Sequence, residues 1–163
     1  MNTRRHILDY IKDNRYDYFI TLTMHDKANK LDTEEACREF FKSINTSTFN
    51  KSKNAVRMFF VLEYHKSGVP HIHLLSEDPT YRITNEQKRN NFDFKEEVKN
   101  SWINAAPKTC PPEKTCGLPG RWFETINDKH SVTQYITKNI ENESRGEILW
   151  NLYAPDGRRI PFI

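Results

Sequence analysis

The chain has 163 residues, a formal charge of +3, three Cys, and an aromatic content of ten Phe, seven Tyr and three Trp. That length suffices for one domain with a buried core, and a pI of about 8.7 is compatible with a polyanionic partner without requiring one. The Cys count does not make a secreted disulfide framework, no run of about 18 apolar residues offers a membrane span, and no signal-peptide core, P-loop pattern or internal repeat is present. The expectation is one domain over residues 1–163 with no helicase domain, soluble, without a membrane partner and located in the cytoplasm.

In chain order, residues 3–13 suit a short amphipathic helix with Ile7, Leu8 and Ile11 on one side. Arg4 and Arg5 on it are solvated charges or phosphate contacts. Tyr16 to Met24 reads as a strand of aromatic and β-branched residues. Tyr18, Ile20, Leu22 and Met24 alternate with Phe19, Thr21 and Thr23. Thr21 and Thr23 either line a polar site or serve strand propensity. A polar loop from His25 to Asp32 precedes a helix capped by Thr33 and running to Ile44 or Phe49. Its buried stripe is Ala36, Cys37, Phe40, Phe41 and Ile44. Residues 51–54 read as a turn.

Phe59 to Ser76, FFVLEYHKSGVPHIHLLS, reads as a hairpin turning at Lys66-Ser67-Gly68. Side chains alternate between the faces of a strand. Glu63 shares a face with Phe59, Val61 and His65, and His71 shares one with His73 and Leu75. A loop of odd length, three or five residues, places Glu63 opposite His71 or His73. A two-residue loop places it opposite Ile72. Gly68 supplies the positive φ that such a turn requires. In the odd registers one face collects Glu63, His71 and His73, and the other face is apolar. Two imidazoles and a carboxylate on one face are metal-site chemistry; the ordinary alternative is an incidental His-x-His. His65, at the strand end, reads as a surface or turn residue.

Asp78-Pro79 marks a turn, and a helical pattern runs from Thr84 to about Ala105 with Phe94, Val98 and Trp102 on its buried side. Residues 106–120 form a Pro-rich loop with Cys110 and Cys116, too few ligands for a structural zinc site. Arg121 to Ile126 reads as a strand. Ser131 with Gln134 reads as a capping box, opening a helix with Val132, Ile136 and Ile140 on its core side. Tyr135 and Lys138, at i and i+3, are neighbours on another face. They suit a nucleophile beside a cation; the alternative is a half-exposed tyrosine and a surface lysine. The tail adds a strand from Ile148 to Tyr153, a turn at Pro155-Asp156-Gly157 and a short return strand after Arg158 and Arg159.

Three stretches in fixed order resemble the HUH endonuclease superfamily, in particular its rolling-circle replication initiators with one catalytic tyrosine. These are Phe19-Ile20-Thr21-Leu22-Thr23, then His71-Ile72-His73 with Glu63 upstream, then Tyr135-Ile136-Thr137-Lys138. The resemblance implies an α+β fold, a central antiparallel sheet of about five strands flanked by helices, in a ferredoxin-like variant. It implies a divalent ion, Mn²⁺ or Mg²⁺, on Glu63, His71 and His73. It also implies attack by Tyr135 on a scissile phosphate, giving a 5′-phosphotyrosyl link and a free 3′-OH, with Lys138 assisting. The implied substrate is single-stranded DNA or an origin hairpin, with Thr21, Thr23, Arg4 and Arg5 as candidate DNA contacts. Unwinding and synthesis then fall to a host helicase and polymerase, in the cytoplasm of the host cell. Rival readings are a single-tyrosine transposase, a relaxase, a noncatalytic nucleic-acid-binding domain, and a metal-dependent hydrolase using water.

Overall fold

Three runs of β-branched and aromatic residues build the middle of a sheet, and helices bury both of its faces. The computed structural model describes residues 3–50, 55–64, 66–114, 120–138 and 146–148. Helix α1 (Thr3–Asp13) leads into β1 (Tyr18–Thr23), followed by α2 (Lys30–Phe49), β2 (Met58–Tyr64) and β3 (Pro70–Ser76). A 3₁₀ turn, α3 (Glu86–Asn91), α4 (Phe94–Ile103), a second 3₁₀ turn, β4 (Phe123–Thr125), α5 (Lys129–Thr137) and β5 (Gly146–Ile148) complete the order. The architecture is α+β, an open antiparallel sheet ordered β4-β1-β3-β2-β5. Its strands of three residues lie at the edges, and its strands of six and seven residues fill the centre.

One face carries the larger core. Ile20, Leu22, Met58, Phe60, Leu62, Ile72 and Leu74 pack against Phe40 and Ile44 of α2 and Val98 and Trp102 of α4. Trp102 is fully buried, and its indole N–H donates to the Thr23 carbonyl at 3.1 Å, which satisfies the one polar atom of a large apolar side chain. On the opposite face, Phe59, Val61 and Leu75 pack beneath Ile7 and Ile11 of α1 and beside Tyr16, with Val132 of α5 at the margin. Both faces are therefore apolar over much of their area. The expected division into one polar and one apolar face holds only toward the hairpin end.

The hairpin has odd parity. Glu63 pairs with His71 and Tyr64 with Pro70, so five residues, 65–69, form the loop. Gly68 sits in it at φ +85°, a conformation that costs glycine little.

Several expected boundaries move. Helix α2 begins at Lys30, capped by Asn29 in a box with Asp32. Thr33, the expected cap, is buried and donates its hydroxyl to the Asn29 carbonyl at 2.8 Å. The pattern from 84 to 105 divides in two. Asn85 caps α3, and Asp93 caps α4 after a break at Phe92 in extended conformation. Ile103 is 38% exposed, outside the buried stripe of its helix. Helix α5 is capped by Asp128, which accepts from the His130 and Ser131 N–H groups and the Ser131 hydroxyl. Ser131 is thus a first-turn donor to the cap. The expectations for His65, for the 51–54 turn, for Cys116, for Ile140 and for residues 149–163, including Arg158 and Arg159, lie outside the described residues. No helix among the described residues is long and apolar enough to cross a membrane.

Candidate metal centre

The polar half of the second face is built by cross-strand pairing. On β3, His71 stands opposite Glu63 of β2 and Thr23 of β1, while His73 stands opposite Val61 and Thr21. Because β3 is central, both imidazoles are flanked on each side by backbone ladder, and their directions are held by the pleat. Moving along the face, Leu75, Phe59 and Val61 give way to His73, His71 and Glu63. The switch from apolar to polar happens within one strand and lies beside the α1–α5 cover.

Glu63, His71 and His73 are 6–7% exposed. The Glu63 Oε2 lies 2.9 Å from His73 Nε2 and 3.2 Å from His71 Nε2. The two Nε2 atoms are 3.0 Å apart, and the rings stand at 89° to one another. Thr21 Oγ1 lies 3.1 Å from His73 Nδ1. With the hydroxyl accepting from Nδ1–H, the His73 lone pair sits on Nε2 and faces a carboxylate oxygen. Such an arrangement is repulsive unless a cation stands between them. The burial and the convergence of three donor atoms within 4.8 Å of one another suit one metal ion. Burial, above all, holds His71 below the ordinary imidazole pKa; Glu63 pulls upward, while the charges of His73 and Lys138 add to the lowering. The neutral, ligating form is therefore favoured.

Helix α5 brings Tyr135 to the edge of this cluster. Its ring centroid is 5.6 Å from that of His73 and 5.9 Å from that of Phe19, near edge-on to both. Phe19 itself stacks on His73, at 5.3 Å and 18°. Tyr135 remains 43% exposed, and the Lys138 ammonium lies 3.8 Å from its ring centroid. The lysine thus covers the ring face and stands at the carbonyl end of α5, where a positive charge is favourable. Lys129, at the other end of α5, donates to the Lys12 carbonyl at 3.0 Å and to the Asn14 carbonyl, tying this helix to the last turn of α1.

The structure brings Glu63, His71, His73, Thr21, Tyr135 and Lys138 together. Thr21 serves His73 directly, and Thr23 is buried beside His71. Arg5 is exposed on α1, and the side chain of Arg4 lies outside the described residues. Phe19 and Lys129 were not singled out as site residues by sequence reasoning. Phe19 carried a signal, since it alternates onto the threonine face. Lys129 carried none, because its partners are backbone carbonyls more than a hundred residues away.

The fold and the cluster define an α+β protein whose central strands can hold a metal ion next to an accessible tyrosine. The model of one protein family, the replication-associated proteins of the ORF2 type, matches residues 17–144, well over half of the chain and every residue of the cluster. The chain belongs to that family, and its role lies in replication. No curated protein and no solved structure matches it.

Proposed function

We propose that this protein is an HUH-type endonuclease that nicks and rejoins single-stranded DNA to initiate rolling-circle replication. The observation that carries this reading is Tyr135, exposed and 5.6 Å, ring to ring, from His73 of a buried Glu-His-His cluster. A tyrosine at the rim of a metal site is suited to covalent attack on phosphorus; a hydrolase using water has no need of it.

When bound, a divalent ion, Mn²⁺ or Mg²⁺, supplies Lewis-acid polarisation of the scissile phosphate. Glu63, His71 and His73 hold that ion, with imidazole ligands better matched to Mn²⁺. Thr21 holds the His73 ring in the ligating tautomer. Phe19 and His73 fix the Tyr135 ring from one side, and Lys138 places a positive charge over its face. A phenol ordinarily titrates near 10, so attack at neutral pH requires positive charge close to the phenolate and the phosphate. The product is a 5′-phosphotyrosyl link with a free 3′-OH. The link conserves the phosphodiester energy, so rejoining requires no ATP. The substrate is single-stranded DNA or an origin hairpin, and a host helicase and polymerase in the host cytoplasm complete replication.

The test is a cleavage assay on a labelled pool of single-stranded DNA with Mn²⁺, resolved on a denaturing gel, for wild type and Tyr135→Phe. The expected result is a protein-linked band in wild type alone. Cleavage without an adduct identifies water as the nucleophile, and an adduct that survives in Tyr135→Phe moves the nucleophile to another residue.

A further inference from the structure

A cleft of about 750 Å³ opens at the end of β1, on the side of the cluster away from Tyr135. Thr23, His25, Asp26, Lys66, Cys110 and Lys114 line it, with Met24 and Val69 adding apolar wall. Two lysines face a single acid. The volume falls within the roughly 300–1,000 Å³ of small-ligand sites, yet the cleft is open along one side, as a groove for a chain must be. It begins at the cluster itself, because Thr23 pairs with His71.

Positions along β1 order the parts. Phe19 touches Tyr135, Thr21 touches His73, and Thr23 belongs to the cleft. The nucleophile and the cleft therefore lie on opposite sides of the ligand cluster. Displacement at phosphorus places the attacking and leaving oxygens roughly in line. In the proposed reaction the Tyr135 oxygen–phosphorus bond forms as the bond from phosphorus to the 3′ oxygen breaks. The phenol's proton passes to solvent, and the departing 3′ oxygen takes one up. The leaving oxygen belongs to the nucleotide 5′ of the scissile phosphate, and it departs away from Tyr135, toward Thr23.

From this geometry we infer that the cleft binds the DNA strand on the 5′ side of the nick, with Lys66 and Lys114 contacting its phosphates. The inference rests on the proposed tyrosyl transfer for its polarity, and on the charge and shape of the cleft for its ligand. The cleft then retains the strand bearing the free 3′-OH, the attacking group in rejoining.

Binding is measured first, with fluorescein-labelled oligothymidylate about 16 nucleotides long, a length within the range of single-stranded site sizes. Each lost phosphate contact lowers the slope of log affinity against log salt by about 0.7. The Lys66→Ala/Lys114→Ala variant is expected to show a slope smaller by about 1.4 and weaker binding, with unchanged melting temperature. In a Cys116→Ser background Cys110 is the reporter thiol, since Cys37 is buried and burial raises its thiol pKa. Saturating oligothymidylate is expected to slow maleimide modification of Cys110. An unchanged slope together with an unprotected Cys110 overturns the cleft as a DNA site, whatever the cleavage assay shows. Polarity is read on an oligonucleotide that wild type cleaves, trimmed from either end. The double variant is expected to lose affinity only for forms that keep the 5′ arm; a loss that follows the 3′ arm overturns the assignment. Absence of any adduct, with the slope change intact, removes the tyrosyl mechanism and leaves a strand-binding cleft.

Discussion

Thr21 Oγ1 lies 3.1 Å from His73 Nδ1, so a residue of one strand sets which nitrogen of its neighbour's imidazole carries a proton. Partners of this kind typically contribute 10–100-fold to metal affinity. Thr21→Val keeps the β-branched shape and removes the hydroxyl. Its Mn²⁺ affinity, by calorimetric titration, is expected to fall by about 10- to 100-fold, with little change in unfolding midpoint.

Metal removal has a thermodynamic readout that does not depend on cleavage. A ligand at a hundred times its dissociation constant stabilises the folded state by about 2.7 kcal/mol. Saturating Mn²⁺ is therefore expected to raise the melting temperature of the wild type, and EDTA to reverse the rise. In Glu63→Gln or His71→Ala the rise should disappear. A variant that retains the full shift would remove that residue from the ligand set.

Phe19 stacks on His73 and meets the edge of Tyr135. Phe19→Leu preserves apolar bulk but removes the flat surface that orients both rings. Adduct formation in single-turnover assays is expected to slow by about 10- to 100-fold, the scale of a misplacement near 1 Å. Mn²⁺ affinity should stay within a few-fold. Equal losses in both would mean that Phe19 supports the ligand cluster as a whole.

Away from the site, the Glu77 side chain is fully buried. It accepts from Arg82, from Tyr81 Oη at 2.7 Å and from the Arg57 backbone N–H at 2.8 Å. Removing one partner of a buried ion pair strands the other charge, at a cost of about 3–5 kcal/mol. Glu77→Gln is expected to lower stability in urea denaturation by an amount on that order. A change below about 1 kcal/mol would place this pair with surface ion pairs.

Asp128 gives a pH test of the helix that carries Tyr135. The Ser131 hydroxyl, then the Ser131 and His130 N–H groups, hold its carboxyl below the ordinary value. A depressed carboxyl stabilises the folded state fully above its unfolded value, near 3.9, and loses that effect as pH falls through the folded value. Amide exchange at the start of α5 is expected to be faster in Asp128→Ala than in wild type at about pH 7. The difference should close under acid conditions below the wild-type value. A gap that persists there would assign the cap to packing rather than to the carboxylate.

The candidate site was legible because its signals were local. Alternation in Phe59–Ser76 put Glu63, His71 and His73 on one face once the loop was odd, and i, i+3 spacing put Lys138 beside Tyr135. What escaped was set by tertiary partners or by competition between similar caps. Thr33 looked like a cap, but Asn29 precedes it and forms the reciprocal box with Asp32, leaving Thr33 to turn inward. Ser131 with Gln134 mimicked a box that Asp128 takes instead. Across 84–105 the apolar spacing continues through Phe92, and only the Asp93 cap betrays the break. The second apolar core was hidden for another reason: β2 and β3 are apolar on both faces, and periodicity cannot tell which helix covers which.

The tether from Lys129 to the carbonyls of Lys12 and Asn14 joins opposite ends of the chain. It also sets a timetable for a nascent polypeptide leaving the ribosome. The strands that hold Glu63, His71 and His73 emerge and can pair while α5 is still being translated. The lysine that docks the helix is made only six positions before the tyrosine it carries. A partly synthesised chain therefore holds its metal ligands without a nucleophile, and a truncated product released at that stage cannot form a covalent link to DNA through Tyr135.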